Sequence, residues 1–470
     1  MRKILLATAA GFAAFVADGV APAKAQTPAA AAAPQPGFSV SVTGRLRFHG
    51  AVINQDGKSA AAGVNQFGNV AVGGAKLSNF DFNTYGRIRV DLSGRNADGI
   101  IYGGRIELRH GPQDTGLTAN NRLTVEDDDG NVVADDVLRG SPAGPSANAG
   151  VFVRVANGFI GTPTLGQLRF GSNGVLAVPQ MYVGHIMGGI ATGLLDGDFG
   201  DFIYQGQRGA LANTFWYSTS SNVNRATGIA YYSPQFFGFD FGISYAANEF
   251  GFLGGCGSSG AAIFQCDRIS TVTSNDYHRL RNIIDVMLRY RGTFGPVGVA
   301  ASGGLRTAGT TGAGGVPPNN ATARKNPTVG IIGAEVTYAG FTVGGITSFG
   351  SANRGFSAVT GNPVLPKAGA DLNNGLFTWQ IGARYAFGPV TVGAAYHEVR
   401  SEGSVTLPAN QKDRGFGIGG SYALGPGISL FAEYVNSSVR ESGRDFNALQ
   451  AGTQDKFKAQ VFLLGVGLGF

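Results

Sequence analysis

The sequence predicts an all-β protein: a transmembrane antiparallel β-barrel of about sixteen strands. Three observations lead there. Segment after segment alternates in polarity residue by residue; the connections are by turns very short and rather long; and the composition is rich in glycine yet poor in charge. Of 470 residues, 76 are Gly and only 14% are charged; the glycine share is about twice the usual one. Beyond the N-terminal segment no apolar run is long enough for a membrane-spanning helix. Only helices and closed barrels can span lipid, so strands of this kind must close on themselves.

Taken in chain order, residues 1–25 read as a signal peptide. Arg2 and Lys3 precede an apolar stretch from Ile4 to Val16, and Ala23-Lys24-Ala25 forms the cleavage site. Residues 26–37 form an Ala/Pro-rich lead-in, and the barrel is predicted over 38–470. The whole chain carries a net charge of +6. Removing Arg2, Lys3, Lys24 and Asp18 leaves a mature chain near +4, too mild over this length to argue for nucleic-acid binding.

In the first strand Val40, Val42, Leu46 and Phe48 share one face, and Ser41, Thr43, Arg45, Arg47 and His49 share the other. In the second, Ile88, Val90 and Leu92 oppose Arg87, Arg89 and Asp91. In the third, Tyr102, Ile106 and Leu108 oppose Arg105, Glu107 and Arg109. Arg154 and Arg169 follow in the fourth and fifth. An arginine turned to lipid costs about 2–4 kcal/mol at the bilayer midplane. These arginines are therefore expected to line a water-filled lumen as a basic wall.

A long segment, 172–224, follows the fifth strand and carries Asp196, Asp198 and Asp201. Folded inward, it would bring these acids opposite the arginines. Next come hairpins with very tight turns. The clearest runs from Tyr385 through Gly388-Pro389 to Tyr396, with Val390, Val392, Ala394 and Tyr396 on one face and Thr391, Gly393, Ala395 and His397 on the other. Aromatic residues flank each short turn, as a girdle at the water–lipid boundary requires.

The predicted strands are 38–50, 79–93, 99–111, 150–160, 165–171, 225–234, 238–248, 282–291, 297–307, 328–339, 340–350, 376–387, 390–400, 412–423, 428–440 and 456–470. Seven short turns alternate with eight long loops, which puts both termini on the short-turn, periplasmic side. The inner face is expected to be Gly, Ser, Thr, Asn, Arg and Asp throughout, as suits water and not a second packed sheet.

Cys256 and Cys266 lie in a Gly/Ser-rich loop, and a disulfide between them fits an exported protein. The five histidines, His49, His110, His185, His278 and His397, show no metal-ligand spacing, so no metal or cofactor is expected. Glu126-Asp-Asp-Asp-Gly130 reads as a solvated loop run, with an external calcium site as the alternative.

Two stretches resemble the general porins of Gram-negative bacteria, particularly those of alphaproteobacteria. Arg225 to Tyr245 is similar to the strand–turn–strand that follows the constriction loop in that family. Gly161 to Gly171 is similar to the hairpin that leads into the loop. The resemblance covers about 38–470. It implies a homotrimer of sixteen-stranded barrels whose third loop folds inward, with acids opposite basic wall residues. By position Arg45, Arg47, Arg87, Arg89, Arg105 and Arg109 match the basic wall, and Asp196, Asp198 and Asp201 match the acidic side. The terminal Phe470 resembles the signal read by barrel-assembly machinery, although Leu468 stands where the family often has an aromatic.

The function expected is a channel for passive diffusion of small hydrophilic solutes and ions, with outer-membrane lipid and lipopolysaccharide around it. The alternative is a solute-specific, anion-preferring channel, for example for phosphate or organic acids. A barrel lipase or protease fits less well: no Gly-x-Ser-x-Gly motif occurs, and His397 falls on the lumen face. A structural or adhesive barrel with a plugged lumen would need an extra internal domain, and only the constriction loop is long enough.

Overall fold

The computed structural model describes residues 37–56, 78–110, 123–126, 132–136, 151–186, 202, 226–248, 280–310, 326–351, 375–401, 411–440, 444–445, 450–451 and 456–470. Its strands are β1 (Gly37–Gln55), β2 (Phe80–Arg95), β3 (Ile101–His110), β4 (Leu123–Glu126), β5 (Val132–Asp136), β6 (Val151–Thr162) and β7 (Gly166–Ser172). A short helix, α1 (Ala177–Met181), follows. Then come β8 (Thr227–Tyr232), β9 (Phe239–Asn248), β10 (Leu280–Phe294), β11 (Val297–Thr310), β12 (Thr328–Tyr338), β13 (Phe341–Ser351) and β14 (Gly375–Phe387). The last are β15 (Val390–Ser401), β16 (Gln411–Gly425), β17 (Ile428–Arg440), β18 (Arg444–Asp445), β19 (Gln450–Ala451) and β20 (Lys456–Gly469).

Sixteen of these strands close into one barrel in chain order, because β1 pairs antiparallel with both β2 and β20. The closure satisfies every strand edge, the condition for a sheet in lipid. The sixteen match the predicted spans to within a few residues at most ends, with β1, β10, β11 and β16 extending further. Two small ribbons were not foreseen: β4 pairs with β5, and β18 with β19. The acidic run from Glu126 thus starts at the end of β4, inside what the sequence presented as plain loop.

The chain alternates as the sequence implies. Val40, Val42, Leu46, Phe48 and Val52 of β1 are exposed on the outside, with Phe462 and Leu464 of β20 beside them. Aromatic rings collect at the short turns. Phe341 stacks on Tyr385 at 4.0 Å, and Tyr385 on Phe387 at 5.0 Å. The seam is closed at the very end of the chain. The Phe470 amide donates to the Gly44 carbonyl at 3.0 Å, and the Gly44 amide donates back at 2.9 Å. The Phe470 ring lies so close to Gly44 that any side chain there would collide with it.

One expectation is corrected. The inner face is not uniformly polar. Toward the long-loop end, inward positions such as Val329, Ile331, Val399, Val435, Val439 and Val461 are apolar and buried. A purely water-lined face would leave these side chains wet, so apolar packing occupies that part of the interior.

Candidate functional site

The eight arginines expected to form a basic wall lie on β1, β2, β3, β6 and β7. Cross-strand register sets Arg45 opposite Arg87, and Arg87 opposite Arg109. Like charges placed so are mutually destabilising. A single buried carboxylate offsets much of this. Glu107, 1% exposed, accepts from Arg89 Nε at 2.5 Å and from Arg154 Nη1 at 2.8 Å, with Arg87 Nε 3.8 Å away. A β-bulge makes the third arrangement possible. Glu107 pairs with Val155 but Leu108 with Val153, so Arg154 is an extra residue in β6 and reaches the same carboxylate. Arg105 bonds Asp91 at 2.6 Å and keeps 44% of its side chain open to the lumen.

Arg169 of β7 extends the array toward the next segment. It donates to Gln167 at 2.9 Å and to Gln180 of α1 at 3.3 Å, and its guanidinium lies over the Tyr232 ring at 5.2 Å. On the far side of Gln180, the Gln180 carbonyl accepts from Arg289 of β10 at 3.4 Å. Arg289 and Arg291 in turn share Asp240, at 2.6 and 2.8 Å.

After β7 the chain turns inward. Asn173 and Gly174 both take positive φ, 60° and 78°, and redirect the backbone. Residues Val175 to Ile186 then run along the inner wall. Four successive strands each offer one acceptor to a backbone amide of this segment. Ala177 donates to Ser244 of β9 at 2.9 Å, Val178 to Asp285 of β10 at 3.0 Å, Val183 to Ser302 of β11 at 3.0 Å, and Gly184 to Glu335 of β12 at 3.2 Å. Gly333 of β12 has no room for a side chain, because the Val183 carbonyl fills that space. Asp285 is itself held by Arg306 through two bonds of 2.6 and 2.7 Å, both partners fully buried. Further along the chain, Phe202 is buried inside the barrel with its ring 6.3 Å from that of His49 on β1.

The described part of the third long connection therefore lies within the lumen. Asp196, Asp198 and Asp201 fall outside the described residues, as do Cys256, Cys266 and His278. His397 is buried in the interior 3.6 Å from Asp413, as its strand parity indicated.

A family model for Gram-negative porins matches residues 8–442. The chain belongs to the Gram-negative porin family. Solved structures with the same fold include the outer-membrane channel DcaP of Acinetobacter baumannii, at 14% identity and a TM-score of 0.53, covering 92% of this chain and 98% of that one. Another is the anion-selective porin from Comamonas acidovorans, at 15% identity and a TM-score of 0.50, covering 92% and 100%. The comparison with curated proteins gave no match. This porin is thus an outer-membrane β-barrel channel for passive diffusion.

Sequence reasoning named the eight arginines but missed the contacts that organise them. Glu107 was legible as an inward acid among inward bases; its position opposite Arg89 needed the register. Ser244, Asp285, Ser302 and Glu335 carried a weaker signal: small polar or acidic residues at inward positions of four consecutive strands. Arg306, the buried partner of Asp285, went unread because nothing in the periodicity distinguishes a paired interior arginine from a solvated one.

Proposed function

We propose that this porin is a weakly anion-preferring general diffusion channel without enzymatic activity, working as a homotrimer. The observation that carries the preference is the composition of the inner wall at the level of Glu107. Arg45, Arg47, Arg87, Arg89, Arg105, Arg109, Arg154 and Arg169 stand there against Glu107 and Asp91. In a narrow passage with low-dielectric walls, an excess of fixed positive charge concentrates anions. Screening leaves the effect intact over about 8–10 Å at ordinary ionic strength. The trimer rests on family resemblance. Acids at 196, 198 and 201, if set opposite these arginines as the family resemblance implies, would moderate the preference.

The test is the zero-current potential of the purified protein in a planar bilayer under a potassium chloride gradient. A modest potential of the sign that reports chloride permeation, shrinking as salt rises, is expected. A cation-selective potential at every salt concentration overturns the reading.

A further inference from the structure

Arg105, Arg289 and Arg291 on the inner face are each matched by an acid. Arg105 bonds Asp91 at 2.6 Å, and Arg289 and Arg291 share Asp240 at 2.6 and 2.8 Å. Arg169, on a strand between theirs, has only neutral partners. Its Nη1 donates to the Gly174 carbonyl and to Gln180 Oε1, both at 3.3 Å, and its Nη2 donates to Gln167 Oε1 at 2.9 Å. Its Nε is buried and makes no hydrogen bond. Among the described residues it meets no carboxylate. A guanidinium keeps its charge at any physiological pH, and drawing a charge out of bulk water without a counter-charge is costly. An anion that settles beside Arg169 recovers part of that cost.

The frame around this cation is firmly held. The guanidinium lies over the Tyr232 ring at 5.2 Å, and the Tyr232 hydroxyl donates to the Val175 carbonyl at 2.5 Å. Asn157 donates to the Asn173 carbonyl at 2.6 Å and Asn173 to the Arg154 carbonyl at 3.1 Å, which fixes the turn that carries Gly174. Both glutamines give their amide oxygens to the guanidinium. Each carboxamide therefore keeps its two N–H donors on Nε2, and neither Nε2 has an acceptor among the described residues. Gln180 is exposed and Gln167 half-buried, so these donors are open to the interior. The group stands apart from the Glu107 cluster. Along β6 Arg169 is opposite Phe159 and Glu107 is opposite Val155, a separation of about 13 Å toward the short-turn end.

We propose that Arg169, Gln167 and Gln180 form a subsite that holds the carboxylate of a small organic monoanion passing through the channel. The two oxygens of a carboxylate can accept from the remaining Nη2 donor of Arg169 and from the two amide groups, and a hydrogen bond between ionised partners is stronger than a neutral one. One cation without a counter-charge, flanked by neutral donors, matches a single negative charge. Dianionic hydrogen phosphate leaves one charge unmatched there, and spherical chloride cannot span the donors. The proposal rests on the reading of the channel as one that passes anions, and it names the class of anion that is retained.

The experiment records single-channel current of the full protein in a planar bilayer at fixed total salt, with sodium propionate replacing sodium chloride stepwise. A carboxylate that is held depresses the current already at a low propionate fraction, with a defined half-effect concentration; one that is not held changes the current in proportion to the mixture. The first result is expected. R169Q should raise the half-effect concentration at least about tenfold, a loss of about 1.4 kcal/mol. Q167A with Q180A should raise it roughly threefold or more, since a neutral donor contributes less than a charged one. Propionamide, similar in shape but uncharged, should leave the current unchanged, and hydrogen phosphate should act only at several-fold higher concentration than propionate. If R169Q does not reach the folded, heat-modifiable form, the double glutamine variant carries the test. A strictly proportional current in the wild type overturns the proposal. So does a half-effect concentration that R169Q leaves unchanged, even where its chloride current differs, because Arg169 is then only a strut for α1. Phosphate acting at the same concentration as propionate overturns the carboxylate class. The potassium chloride gradient tests the anion preference separately: a cation-selective wild type overturns that reading, while the propionate titration still decides this one.

Discussion

Gly184 illustrates how much one position can carry. Its φ of 87° lies in the region L side chains avoid. A Cβ there would meet the Gly345 carbonyl oxygen at 2.1 Å and the Ala334 carbonyl oxygen at 2.7 Å, both immobile parts of the wall. Its amide also makes the last of the four bonds that seat the inward segment. Gly184→Ala should therefore cost at least about 1–3 kcal/mol of backbone strain, before any steric shift. The expected result is a lowered urea midpoint for unfolding in detergent, with β-content unchanged by circular dichroism. A midpoint equal to wild type would mean that the segment does not follow the path described. At this scale the sequence was legible where alternation governs, as in Arg87, Arg89, Arg105 and Arg109. It was opaque where a side chain's role depends on a partner far along the chain, as for Glu107 with Arg154, 47 residues away.

At the scale of elements, the inward segment is held by side chains of the wall and not by its own helical propensity, since α1 is a single turn lacking a side-chain cap. Asp285 is the keystone, holding both the Val178 amide and Arg306. Removing one partner of a buried pair leaves the other charge uncompensated, at a cost of about 3–5 kcal/mol. Asp285→Ala should lose stability of that order by urea denaturation. It should also broaden the distribution of single-channel conductances, because the segment loses an anchor midway along its path. Asp285→Asn keeps an oxygen for the Val178 amide and should recover part of the uniformity but not the stability. A conductance distribution as narrow as wild type in the Ala variant would contradict this. The barrel itself was legible as elements: sixteen strands, seven short turns and eight long connections. The path of the third connection was not, because its bonds run to inward acceptors on four strands that lie 67 to 151 residues away. The last strand was legible to within one residue, expected over 456–470 and found over Lys456–Gly469. Deleting Phe470 removes two backbone bonds and the ring packed on Gly44. The amount of heat-modifiable protein recovered from outer membranes should drop several-fold, by about as much as the loss of one or two kcal/mol implies. Wild-type recovery would show that the seam closes without it.

At the scale of the whole molecule, charge is sorted by surface. Arginines collect on the inner wall of the first five barrel strands. Such sorting was partly visible in the sequence, because period-two alternation assigns each charge to a face. What alternation cannot assign is the balance of charge on the inner wall, where Glu107 already offsets Arg87, Arg89 and Arg154. The decisive variant is therefore Arg87→Gln with Arg89→Gln. It removes two cations from the Glu107 cluster while Arg154 still bonds that carboxylate at 2.8 Å. The wall loses two positive charges with its strands and register intact, since both residues sit mid-strand on β2. The zero-current potential in a salt gradient should then shift toward cations. The shift should be largest at low ionic strength, where the screening length grows to about 30 Å near 0.01 M, and should fade toward 1 M. A shift that is independent of salt would point to an altered pore diameter instead of altered charge. No shift at any salt concentration would mean that these two side chains, although on the lumen wall, lie away from the passage that ions follow.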